Sequence, residues 1–405
     1  MRKEVVITLA AMGVALLGTS AFAAEPTEVE RVQAALDAWL AERAPIEKVT
    51  GIAAYVSFGD AGPAIEAFSG KVGREPGAGP VDQKTLYQMG STSKSFTAAV
   101  ILKLEAAGKL SIDDTIGKWL PEYPAWKDVT IRSLLNMTSG IPNYSETEWI
   151  SKAWADEPTR AFTFEELVAA AYPSPTNKLP VTKGYHYSNT NYILAAMIAE
   201  KASGKSFRDL VHEMVIEPLD LTSTFYEASS YPEPVMRRLS HGYFENEACA
   251  EYQPDCKETW NAPMIGRDVR EASVSWMQAA GGAVANARDV DRWMRAVFKG
   301  KVVPPKQQQE WTELVSLKTG EPIKTLTEDD PGGFALGIAR RILGPLGARW
   351  FYQGESLGYR TLYVWIDDED LMITVQTNSQ PPDGTGKVHE AVSAIYEIVK
   401  RPAAE

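Results

Sequence analysis

Apolar positions along this chain recur at two spacings, and each predicts a different kind of element. Residues 27–44 repeat at helical spacing, and Gly51 to Ser57 then runs apolar as a strand does. Toward the carboxyl end, Arg349 to Tyr352, Leu362 to Ile366 and Leu371 to Gln376 alternate or run apolar like antiparallel strands, and Val388 to Lys400 returns to helical spacing. The stretch between Gly90 and Gln278 is punctuated by Pro and Gly and is mostly helical by pattern, with long loops expected at Asn143–Pro158 and Tyr231–Trp260. Inside it, Thr97–Gly108 reads as an amphipathic helix with Phe96, Val100, Ile101 and Leu104 on one stripe and Gly108 as its stop, and Ile193–Lys201 reads as an apolar helix. No internal repeat or low-complexity tract adds another unit.

The first residues follow neither spacing. Arg2 and Lys3 precede an apolar run from Val5 to Leu17, and Ala21-Phe22-Ala23 follows it, the pattern of a secretory signal cleaved before Ala24. The run is short for a membrane span, and no cysteine follows it to take a lipid, so the mature chain is read as soluble, unanchored and periplasmic. With 405 residues, 44% hydrophobic, it is long enough to enclose a deep cleft. The formal charge of −12 becomes −13 when Arg2, Lys3 and Glu4 are removed, and with no basic run in the sequence this argues against nucleic acid as a partner. Cys249 and Cys256 lie close together in a polar segment, and in an oxidising compartment they are expected to form a local disulfide. The four histidines are scattered and give no metal-binding pattern, so neither metal nor cofactor is expected.

Candidate chemistry enters at Met89-Gly90-Ser91-Thr92-Ser93-Lys94. Residues three apart share a helix face, so Lys94 can reach the Ser91 hydroxyl, and a partly desolvated amine can take its proton. A helix start also offers free N–H groups where an acyl oxyanion would form. Ser-x-x-Lys is common by chance, and with histidine so scarce a second half must come from other side chains. Tyr187 and Asn189, on a turn before the apolar helix, fit: a phenol beside a lysine ammonium is a better base than usual, and an amide can bind a carbonyl while accepting from the lysine. The alternative is that the two merely cap that helix.

Together these stretches resemble the serine β-lactamase and DD-peptidase superfamily, in its class C β-lactamase, D-aminopeptidase and family VIII esterase branch. Further segments are similar in order and spacing: Leu110–Asp114, Leu134–Pro142, Glu217–Leu221, Ala280–Val284 with Arg288-Asp289, and Gly332–Gly337. The resemblance implies an α/β (α+β) fold: an antiparallel sheet flanked by the terminal helices, built from residues 24–88 and 279–405, a mostly helical domain at 89–278, and a site in the cleft between. It implies Ser91 as nucleophile, with Lys94 and Tyr187 sharing the base and proton-shuttle roles, and Asn189 binding substrate. The third motif departs from the family, whose strand carries Lys or His, any residue, then Gly. Here it reads Tyr352-Gln353-Gly354, so a neutral phenol replaces the cation that helps hold a substrate carboxylate. Arg360 could restore a charge, although a solvated surface arginine is the simpler reading. Gly354 should let substrate approach, and the Glu355 N–H should join the Ser91 N–H as oxyanion donors. The tryptophans, among them Trp149, Trp154, Trp260, Trp276 and Trp350, are read as core and rim packing, with an apolar cleft as the alternative. The functional expectation is hydrolysis of β-lactams or D-alanyl peptides through an acyl-serine; the alternatives are an esterase or amidase on small neutral acyl substrates, and a non-hydrolytic binding protein on the same fold.

Overall fold

In the computed structural model, which describes residues 25–59, 62–175, 179, 182–247, 262–384 and 386–400, Thr27 starts the first helix. Its hydroxyl accepts from the Glu30 N–H at 3.2 Å while the Glu30 carboxylate accepts from the Thr27 N–H at 2.7 Å, so two otherwise unpaired donors at the helix start are satisfied reciprocally. Among the described residues the helices longer than ten residues are α1 (Glu28–Glu47), α2 (Lys94–Ala106), α3 (Asn189–Ser203), α4 (Ala287–Phe298) and α5 (Val388–Val399). No helix among the described residues is long and apolar enough to cross a membrane.

The main sheet joins both ends of the chain. Its strands are β1 (Gly51–Phe58), β2 (Ala64–Gly70), β3 (Leu314–Ser316), β4 (Pro322–Ile323), β5 (Gly332–Phe334), β6 (Ala339–Ile342), β7 (Ala348–Ser356), β8 (Tyr359–Ile366) and β9 (Leu371–Thr377). Their spatial order is β2-β1-β9-β8-β7-β6-β5-β3-β4, and every neighbouring pair is antiparallel. Strand β1 is held by β9 in the register Ile52↔Thr377 to Phe58↔Leu371. Every position of β8 and β9 is buried, because both faces of the sheet are covered. Leu362, Val364 and Ile366 pack toward α1 and α5 with Val32, Leu36 and Ile395. Tyr363 and Trp365 face the other way, where Phe298 of α4 stacks on Trp350 and Trp365 at centroid distances of 5.4 and 6.2 Å. Each such apolar side chain removed from water stabilises the fold by about 1.5 to 3 kcal/mol.

Between these strands lies the mainly helical stretch. Helix α2 is its centre, and it differs from the amphipathic helix expected at Thr97–Gly108: it begins at Lys94, and Thr97, Ala98, Ala99 and Leu102 are buried together with the predicted stripe. A helix buried along its first nine residues belongs inside, and α3, the loop before β6 and the residues around Ala280 enclose it. The expected loop at Asn143–Pro158 instead contains a helix, Glu148–Asp156, whose start Thr147 caps by accepting from the Ile150 N–H. The second expected loop contains a short helix, Glu233–Met236, and a strand, Tyr243–Phe244. A small three-stranded sheet ties the stretch to the rest: Tyr87-Gln88 and Thr224–Tyr226 flank Ala283–Ala285. Its register brings the segments around Ser91 and Ala280 side by side. The expected leader, Trp260 and the expected Cys249–Cys256 disulfide lie outside the described residues.

Candidate active site

Three segments far apart in sequence converge on Ser91. The residue sits in a tight turn, Gly90–Ser93, that leads directly into α2, so Lys94 is the first residue of the helix and its side chain folds back to place Nζ 3.0 Å from the Ser91 hydroxyl. Tyr187, just before α3, places its hydroxyl 2.6 Å from the same oxygen. Asn189, the first residue of α3, accepts from Lys94 Nζ at 2.7 Å through Oδ1. Lys94 has one further partner, the Ala280 carbonyl at 2.7 Å, and is fully buried.

Those contacts bear on the protonation state of Lys94. Asn189 Oδ1 and the Ala280 carbonyl can only accept, so they occupy two N–H bonds of Lys94, and the third direction faces a hydroxyl that can donate. A neutral amine, with two N–H bonds and a lone pair toward the hydroxyl, fits this set, as does an ammonium whose third N–H meets the Ser91 oxygen, so burial decides between them. Burial with no carboxylate against it pushes the Lys94 ammonium well below its ordinary pKa. The Asn189 amide is oriented by its other end: Nδ2 donates to Ser145 Oγ at 2.9 Å, and its backbone N–H donates to Asn143 Oδ1 at 3.0 Å.

Tyr187 differs from expectation. The phenolate was to be stabilised by a neighbouring ammonium, but Lys94 Nζ lies 4.8 Å from the centre of the Tyr187 ring, not against its oxygen, and burial pushes the phenol up to about 12, with the hydrogen bonds from Ser91 and Tyr352 opposing. Tyr187 is therefore a neutral phenol. Tyr352 donates to Tyr187 at 3.3 Å and is itself held neutral by burial. Tyr352, Tyr187, Ser91 and Lys94 thus form one continuous hydrogen-bonded chain, in which either hydroxyl of the Tyr187–Ser91 pair can donate and Lys94 Nζ donates to Ser91 Oγ.

The third motif packs directly under the turn that carries Ser91. A Cβ built on Gly354 would lie 2.0 Å from the Met89 carbonyl and 3.0 Å from the Ser91 nitrogen, and one built on Gly90, whose φ is +52°, would lie 2.6 Å from the Glu355 nitrogen. Both glycines are needed for β7 to approach this closely. The Glu355 side chain turns elsewhere: it accepts from Gln353 at 2.5 Å and lies 3.5 Å from Arg360. Arg360 is neither solvated nor in the cleft. Only 1% exposed, it donates to the Ser379 and Gly384 carbonyls and packs on the α1/α5 side, the opposite direction to Ser91, because residues alternate faces along β8.

Beside Asn189 a cavity of about 210 Å³ is lined by Ser145, Ile150, Ser151, Trp154, Trp276 and Leu357. Two of the tryptophans read as packing thus line the cleft, while Trp350 does pack in the core and Trp149 is 41% exposed. Ala280, Asn143 and Ser145 were missed in the sequence. A backbone carbonyl leaves no sequence mark, and the two polar residues fell in a stretch expected to be loop. Among the described residues no group of three His, Cys, Asp or Glu could hold a metal ion.

This geometry can be set beside known proteins. A profile of the Beta-lactamase family matches residues 46–396. The chain belongs to that family. It is similar to penicillin-binding protein 4* of Bacillus subtilis, 26% identical over 80% of this chain and 69% of that one. It is also similar to the putative penicillin-binding protein PbpX of the same species, 25% identical over 50% of this chain, and the match spans about half of that relative, 51%. A D-stereospecific amidohydrolase from Streptomyces sp. superposes with a TM-score of 0.72 at 26% identity, over 92% of this chain and 99% of that one. Family and fold make the protein a serine hydrolase of the β-lactamase and penicillin-binding superfamily.

Proposed function

We propose that this family member is an exported amidase or esterase that works through an acyl enzyme on Ser91. The observation that carries the chemistry is the contact set of Lys94, two obligate acceptors and one hydroxyl around a buried amine with no counter-ion. The Lys94 lone pair takes the Ser91 proton as Oγ attacks the substrate carbonyl carbon. The negative charge that develops on the carbonyl oxygen is met by the N–H groups of Ser91 and Glu355. Collapse breaks the bond to the leaving group, whose oxygen or nitrogen takes a proton from Tyr187, and the Lys94 ammonium gives up the proton it took from Ser91 to the Tyr187 phenolate, which restores both neutral groups. Water then repeats the sequence on the acyl-serine, and the acid leaves.

The substrate reading rests on the two sides of Ser91. The cavity beside Asn189 has a lining without charge, which favours an uncharged apolar or aromatic acyl substituent over a free ammonium. On the other side Tyr352 offers one neutral hydrogen bond where a carboxylate next to the scissile bond would need a cation. Similarity to a D-stereospecific amidohydrolase favours D-configured amides among the amide substrates. β-Lactams and D-alanyl peptides are the second reading, favoured by the penicillin-binding relatives.

Intact-protein mass spectrometry with phenylacetyl phenyl ester, a D-phenylalanyl amide blocked on its amine and a penicillin tests the proposal. An acyl adduct from the ester or amide, absent in Ser91→Ala, is expected. Rapid penicillin turnover exceeding that of both would move the assignment to the second reading.

A further inference from the structure

We infer that Arg341 selects substrates whose leaving group carries an anion set back from the scissile bond, one side chain farther from Ser91 than a carboxylate on the adjacent carbon. The inference rests on the acyl-serine reading and adds the class of leaving group to it.

Strand β6 pairs with β7 only from Ala348 to Trp350, with Arg341 opposite Arg349, so beyond Trp350 that edge of β7 has no strand beside it. In the gap lies a cavity of about 250 Å³ whose wall includes Tyr185, Leu317, Phe334, Arg341, Tyr352 and Gln353. Ser91 and Tyr187 are not part of that wall. Tyr352 connects them to the cavity, which it lines while its hydroxyl is committed to Tyr187 and its ring lies edge-on to Phe334 at 5.8 Å.

Arg341 is the group in this wall with unused charge. Its neighbours are occupied: Arg340 is paired with Asp367, and Arg349 with Asp367 and Asp368. Arg341 is exposed, and among the described residues its guanidinium forms no ion pair or side-chain hydrogen bond. Its charge nevertheless reaches the aromatic wall: burial raises the Tyr185 phenol, and Arg341 opposes that rise without reversing it. In a chain of net charge −12, an uncommitted cation at the mouth of a cavity is a local attractor for anions. The nearest carboxylate on the strand, Glu355, is turned toward Arg360 and does not neutralise it.

The consequence is spatial. A carboxylate on the atom next to the leaving oxygen or nitrogen meets only the neutral Tyr352. An anion carried past that ring reaches Arg341. Three phenylacetyl esters separate the cases: phenol as a neutral leaving group, glycolate with an adjacent carboxylate, and 4-hydroxybenzoate with a carboxylate across the ring. The readout is kcat/KM for each charged ester divided by that for the phenyl ester, in wild type, Arg341→Ala and Arg341→Lys. Arg341→Ala should lower the 4-hydroxybenzoate ratio by about five-fold, a typical size for an exposed charge contact, while Arg341→Lys restores most of it and added salt mimics the loss. An unmoved 4-hydroxybenzoate ratio overturns the inference, as does a larger fall for glycolate. Ser91→Ala run on the phenyl ester keeps the two levels apart: continued hydrolysis there refutes the acyl-serine reading whatever Arg341 does.

Discussion

Two serines in this protein sit beside buried basic side chains, and their surroundings lead to opposite chemistry. Ser57, on β1, donates to the Asp291 carboxyl at 2.7 Å and accepts from Arg295 at 2.7 and 3.0 Å. Arg295 in turn binds Asp370 at 2.5 Å. Ser91 has Lys94 at 3.0 Å and Tyr187 at 2.6 Å, with no carboxylate against either. A guanidinium cannot be deprotonated in a protein, and with a counter-ion it is a staple between α4 and the sheet. A lysine amine without a counter-ion surrenders its proton on burial and becomes a base. Proximity of a serine to a buried cation therefore says little about nucleophilicity; the identity of the cation and the absence of an acid decide it.

The sharpest way to break this contrast is to delete both hydroxyls in turn. Ser91→Ala should reduce kcat/KM on the phenylacetyl ester by about a thousandfold or more, because the covalent route is lost. Ser57→Ala should leave kcat/KM within about two-fold and lower stability by about 1 to 3 kcal/mol in urea melts, since the Arg295 donors lose their acceptor. Equal losses of activity from the two would erase the distinction. Next in size is Arg295→Met, which removes the staple and should cost about 3 kcal/mol of stability with the turnover of the folded enzyme retained.

Protonation sharpens the comparison further. Acylation needs neutral Lys94, so kcat/KM should fall as pH drops through the depressed Lys94 value and be flat above it. Tyr187, pushed up to about 12 by burial, gives no alkaline fall until the pH nears that value. A loss of activity between pH 8 and about 10 that follows Tyr187 in a phenylalanine variant would contradict its neutral role. The Ser57 cluster titrates in the opposite sense. Burial raises Asp291 from 3.8 to about 8, so across that interval the unfolded chain has released a proton that the folded one retains, and stability from this group declines as pH rises. Above about 8 both states are ionised and the slope ends. Asp291→Asn should flatten this part of the urea-midpoint profile, the smallest of the effects.

What the sequence revealed followed from how local each signal was. Ser91 and Lys94 share a helix face at a spacing of three, so their meeting was readable from eight consecutive residues. Tyr187 and Asn189 could be read from the boundary of α3, and the apolar runs of β8 and β9 announced antiparallel strands, though not that both faces of their sheet would be covered. Signals that depend on distant partners were silent or misleading. Arg360 reads as a surface residue because a charged side chain on a strand usually is one; only the Ser379 and Gly384 carbonyls explain its burial. Helix α2 was underestimated because Thr97, Ala98 and Ala99 are small enough to suit either surface or core. The Ala280 carbonyl, which fixes one bond of Lys94, has no side chain to be noticed.

The pairing of β1 with β9 carries a kinetic consequence. Ile52 finds Thr377 across nearly the whole chain, and the backbone of Gly354 and Glu355 must then settle against the turn that carries Ser91. Contacts this remote in sequence form late and slowly, because the intervening loop must be closed before they return any stabilisation. A partly folded chain can hold α2 and α3 together and still lack the strand that packs beneath the Ser91 turn. Ester turnover during refolding should thus lag behind the recovery of helical signal, and the lag reports the arrival of the last strands.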